Sequence, residues 1–161
     1  MATISTKDFW QDFTIEAVPA ETPVGLLVSQ ANMLPQKTSS LLKGEVSTYT
    51  EQNIIYNTFY IVAPRLDHYR YALIQVVSGP ALYPVYVYDR SGVDYTPHSV
   101  TVKFPNITAA PKLPKASFAA RDYEDFEKAV KAILSSEETA GIIRSLMSQS
   151  KALQSVPTVL T

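Results

Sequence analysis

Three closely spaced runs, Ile54 to Val62, Tyr69 to Val77 and Tyr83 to Asp89, limit what this chain can fold into. Each reads as a β-strand, and each is apolar at successive positions. Neighbouring residues of a strand point to opposite faces. Here both faces are apolar: Ile55, Phe59 and Ile61 against Tyr56, Tyr60 and Val62; Tyr71, Leu73 and Val77 against Ala72, Ile74 and Val76; Val85 and Val87 against Tyr86 and Tyr88. Strands of this kind need cover on both sides. Their connections are too short for parallel crossovers, so the pairing is antiparallel. Pro64 closes the first run. Ser78-Gly79-Pro80 supplies turn chemistry before the third, where Pro84 is tolerated near a strand start.

The flanking segments fit the edges of the same sheet. Glu45 to Gln52 alternates with a polar face, as an exposed edge does. Ser99 to Phe104 sets Val100, Val102 and Phe104 against Thr101 and Lys103, which predicts a one-sided fifth strand. The fold class expected is α+β: an antiparallel five-stranded meander flanked by N-terminal helices and a C-terminal helix pair. One globular domain over 1–161 is expected, with helices at about 5–43, the sheet at about 45–104, a connector at 105–117 and helices at about 122–152.

The helix signals are specific. Phe9, Trp10 and Phe13 follow Ser5 and Thr6 at helical spacing, in competition with an extended alternation over 13–18 that Pro19 ends. Thr22-Pro23 is a cap followed by proline at the first helical position. Leu27, Ala31, Leu34, Thr38 and Leu41 then form a stripe, with Gly44 as the expected stop. Pro35 predicts a kink or a split into 23–33 and 36–43. The stripe either packs on the chain's own sheet or makes a homodimer seam. Residues 105–117 hold three prolines and read as a connector leaving the sheet. Asp122 and Asp125 approximate a capping box with Phe118 upstream, and Ser135 with Glu138 restarts a second helix. The tail from Ser155 reads as frayed.

Composition excludes several function classes. The chain has 161 residues, 46% hydrophobic and 18% charged, a globular profile. It has no cysteine, which removes disulfides, thiolate catalysis and cysteine-based zinc sites and fits a reducing cytoplasm. A formal net charge of −1 gives no pull toward nucleic acid or an anionic membrane. The N-terminal stretch is not a signal peptide, and no apolar run spans a bilayer. No catalytic residue, metal site or cofactor is expected. The glycines build no phosphate loop, Ser78-Gly79 and Ser91-Gly92 are not nucleophile elbows, and the acids Asp122 to Glu127 suit a helix N-terminus.

Two sets of residues remain as binding candidates. Tyr60, Tyr86 and Tyr88 belong to a tyrosine-rich sheet and would form an aromatic surface, unless they only pack. His68 and His98 are the two histidines, in loops that the meander places at one end of the sheet. The leading expectation is a non-enzymatic binding or interaction protein, with a protein partner or a homodimer. The alternative is a small-ligand-binding or enzymatic domain whose aromatic-lined pocket at the sheet end carries His68 and His98.

Overall fold

The structure, a computed structural model, describes residues 7–14, 21–104 and 113–155. The chain is α+β, as its periodicities require. Helix α1 (Pro23–Lys37) precedes strands β1 (Lys43–Glu51), β2 (Ile54–Ala63), β3 (Tyr69–Ser78) and β4 (Val85–Asp89). Strand β5 (Phe118–Ala120) and helices α2 (Tyr123–Leu134) and α3 (Glu137–Ser155) follow. The five strands form one antiparallel sheet in the order β1-β2-β3-β4-β5. Gln52 and Asn53, both at positive φ, make the tight two-residue turn between β1 and β2. This geometry matches the twist of the strands it joins.

The helices cover one face. Phe59, Ile61, Ile74, Val76, Val85 and Val87 meet Leu26, Leu27, Phe126 and Ile133 there, all buried in one cluster. Thr22 begins α1 by accepting a hydrogen bond from Gly25 N at 3.1 Å, with Pro23 next. Asp122 caps α2 through Asp125 N at 2.8 Å. Ser136, one residue after the expected position, caps α3 through Thr139 N at 3.2 Å.

The opposite face is covered by chain rather than by helices. Val100, Val102, Phe104 and Leu113 pack on Ile54, Tyr56, Val77, Tyr86, Tyr88 and Ala116. This corrects the predicted fifth strand. The alternation at 99–104 is real, but its apolar side lies flat on the sheet. The segment keeps only the bridge between Val100 and Ala116, while Phe118–Ala120 supplies β5. Within the predicted connector, residues 105–112 lie outside the described residues.

Other expectations change near the N-terminus. Residues 7–14 have no regular secondary structure, so the predicted helix at 5–13 is absent from its described part. Residues 5–6, the alternation beyond 14 and the tail beyond 155 lie outside the described residues. Helix α1 is continuous to Lys37 with Pro35 inside it. Pro35 sits in the last turn, gives up one intrahelical hydrogen bond to the preceding turn, and the helix ends two residues later. The stop is not Gly44. Thr38 caps the end, its hydroxyl donating to Leu34 O at 2.9 Å, and Ser39 and Ser40 turn the chain at positive φ. Of the stripe, Leu27, Ala31, Thr38 and Leu41 are buried in the chain's own core and Leu34 packs against it, so the stripe packs on the chain's own sheet.

Gly44 instead lies in β1 under α1. A Cβ there would stand 2.5 Å from Ala31 Cα, so only glycine lets helix and strand approach this closely. Gly44→Ala is expected to lower stability by about 1–3 kcal/mol in denaturant titration. Ile74→Asp places a charge at a fully buried position of β3 and is expected to abolish soluble expression. Wild-type melting of the Ile74→Asp protein would refute the strand assignment.

Candidate functional site

The feature that shapes the site is a bulge in β3. Phe59 pairs with Ile74, but Tyr60 pairs with Ala72, which leaves Leu73 as an extra residue. Without it, Tyr71 and Tyr69 would fall on the face opposite Ile74. The bulge shifts the alternation by one, so Tyr71 pairs with Ile61 and Tyr69 with Ala63 on the helix-covered side. Both tyrosines then face α3.

Between them and α3 lies a cleft of about 710 Å³, within the size range of small-molecule sites. Leu66, Tyr69 and Tyr71 form one wall and Ser91 lies at its end. Glu138, Ile142, Ser145, Leu146 and Gln149 of α3 form the other. The apolar part of the lining is Leu66 with Ile142 and Leu146. No lysine or arginine lines this cleft.

Beside the cleft, at the end of β4, lies a polar network that Ser91 and Tyr71 of the lining join. Asp89 accepts from Ser91 N at 2.8 Å and from the Tyr95 hydroxyl at 2.8 Å. Its own N–H donates to Ser117 Oγ at 3.0 Å. The Tyr71 hydroxyl donates to Arg90 O. Burial, with the hydrogen bond to Asp89 and the charges of Asp89 and Glu138, pushes the Tyr95 hydroxyl up to about 12. Burial raises Tyr71 as well, aided by Tyr69 and Asp89. Ser91 is only 8% exposed, and its hydroxyl has no hydrogen-bond partner among the described residues.

The residues expected from sequence lie elsewhere. Tyr86 and Tyr88 share the second face and are closed over by the 100–104 and 113–116 segments. Tyr86 donates to Lys103 O at 2.7 Å and accepts from Lys103 N at 3.0 Å. Tyr88 donates to Pro114 O at 2.7 Å and is 6% exposed. Tyr60 lies on the open part of that face, its ring 4.0 Å below the Arg70 guanidinium, which pairs with Glu45 at 3.3 Å. Tyr49 stacks on Tyr56 beside it, with centroids 4.6 Å apart.

His68 is exposed in the turn before β3 at a φ of 55°, a left-handed conformation histidine tolerates better than most residues. His98 is exposed at the end of the short 3₁₀ turn Thr96–His98. Neither lines the cleft. The cleft residues carried weak signals in sequence: Tyr69 and Tyr71 looked like strand residues, Ser91 like a turn and Glu138 like a cap. No group of histidines and acids among the described residues is placed to hold a metal ion. No helix among them is long and apolar enough to cross a membrane.

Comparison with family models, with curated proteins and with solved structures finds no match to this chain.

The buried hydroxyls give a pH prediction. Tyr83, Tyr88 and Tyr95 are each raised to about 12, chiefly by burial. An unfolded tyrosine ionises near 10, so between about 10 and 12 the unfolded chain binds fewer protons than the native one. Stability from these groups is complete below pH 10 and falls as pH rises toward 12. Phenolate absorbance during alkaline titration is expected to show three tyrosines ionising late, together with unfolding. Ionisation of all ten as exposed phenols before any unfolding would refute the burial of these three hydroxyls.

Proposed function

We propose that this protein is a binding module whose α3 cleft holds a small organic amine with an apolar body. The observation that carries this reading is the lining of the cleft. An acidic side chain, Glu138, and two tyrosines share it with an apolar part, with no cation among them. A carboxylate and aromatic faces attract an ammonium group. The apolar part, Leu66, Ile142 and Leu146, accepts a hydrocarbon portion, and the unsatisfied Ser91 hydroxyl is available to a polar substituent.

Binding rather than covalent catalysis fits the same groups. A serine nucleophile needs a base within hydrogen-bond reach, and the Ser91 hydroxyl has no such partner among the described residues. The Tyr71 hydroxyl is engaged with Arg90 O. A cysteine-free chain suits a reducing compartment, and we place the protein, soluble, in the cytoplasm.

A matched pair of probes tests the reading: phenethylamine and its anionic counterpart phenylpropionate, titrated with NMR detection. The amine is expected to shift resonances of Tyr71, Ile142 and Leu146, and the carboxylate is not. Glu138→Gln is expected to weaken the amine about tenfold, the effect of losing one charged hydrogen bond. Equal shifts by both probes, or none at the cleft, would overturn it.

A further inference from the structure

Strand β1 is a bare edge of the sheet. It pairs with β2 through all nine residues, Lys43–Glu51, and among the described residues has no strand on its other side. A row of its backbone N–H and C=O groups therefore points outward. Two common protections of such an edge are missing, since β1 contains no proline and its register with β2 is unbroken. The opposite edge, β5, is three residues long and offers little to pair with.

An apolar strip lies beside this edge. Helix α1 packs chiefly on β1, with Ala31 against Gly44. Leu26 and Gln30 face α2, where they share a groove with Glu127, Val130 and Lys131. Helical periodicity puts Val24 and Val28 on the other flank. They are 38% and 42% exposed, and Val24 lines one hollow together with Thr48 of β1 and the Ser78 to Leu82 stretch. Ala31 lies over Gly44 and Val24 shares that hollow with Thr48, so Val28 stands near the middle of the strand.

We propose that a second copy of this chain covers both features. The two β1 strands pair antiparallel about a twofold axis at Ser47. Two five-stranded sheets join into one, and the α1 helices lie side by side with Val28 at their contact. The strand complements itself in this register. Lys43 and Glu51 lie on the same face, and the axis sets Lys43 of each copy opposite Glu51 of the other. A slide of two residues one way sets Glu45 against Glu51, and the other way separates both ion pairs. Exposed pairs contribute little affinity but select register. Strand hydrogen bonds and the buried valines supply the attraction.

Sedimentation velocity of the full chain over a concentration series tests this. The expected species has twice the 17.8 kDa mass of one chain. Val28→Glu and, separately, Lys43→Glu are each expected to raise the dimer dissociation constant at least about tenfold. Lys43→Glu combined with Glu51→Lys is expected to restore it. Val28 is exposed in the monomer, so its variant should fold, as circular dichroism would verify. If it does not, the charge-swap pair still decides. A monomer at every concentration would overturn the proposal. So would a dimer indifferent to these substitutions, or one lost on removal of residues 1–14.

Discussion

The structure depends on burying β2, β3 and β4 on both faces. An apolar side chain left in water forfeits about 1.5–3 kcal/mol, and these strands carry such side chains at nearly every position. Covering one face with helices leaves the other unsatisfied. The chain solves this asymmetrically. Helices α1 and α2 close one face with aliphatic and phenylalanine contacts. The route from β4 to β5 closes part of the other, and there the tyrosines matter. Tyr86 and Tyr88 bury their rings and hand their hydroxyls to the backbone of the covering segment. A phenylalanine would fill the space but leave those carbonyls without a donor. Tyrosine in these strands is thus a device for holding an irregular segment against a flat surface.

Among the described residues that cover stops short of β1. The remaining part of the second face is lined by Tyr60 under Arg70 and by the Tyr49–Tyr56 stack, groups that are stable at a wet boundary. On the helix side the cover is also incomplete. Among the described residues the space between α3 and the start of β3 stays open as the cleft, and a tight junction joins α3 to α2. Ser136 and Thr139 fix that junction, the Thr139 hydroxyl reaching Ile133 O at 2.6 Å. Cleft, bare edge and open face are places where layer packing ends among the described residues, and the two proposals stand on the first two.

Much of the fold was legible in the chain. Periodicity of two located β1 to β4, short connections dictated antiparallel order, and Thr22-Pro23 and Asp122 marked helix starts. These are local properties, read from neighbours a few residues apart. The errors were also physical. Ser99 to Phe104 has the alternation of a strand, and alternation reports that one side is buried, not that the backbone is paired in a ladder. Gly44 resembles a helix stop, but what it satisfies is the close approach of α1, a contact between segments. Phe9, Trp10 and Phe13 have helical spacing without helix in the described residues, since spacing is insufficient where no described element buries it.

The candidate site was much less legible, for one reason. Tyr69 and Tyr71 reach the cleft because Leu73 is extra in its pairing with β2. Strand parity is fixed by the residues of one strand, while register is a property of two. A single bulge reverses which side chains share a face without changing the alternation that sequence displays. The sequence therefore determined an antiparallel α+β sheet with both faces needing cover. Only the tertiary structure decided what covers each face and which tyrosines meet α3, because those depend on pairing and packing between segments far apart in the chain.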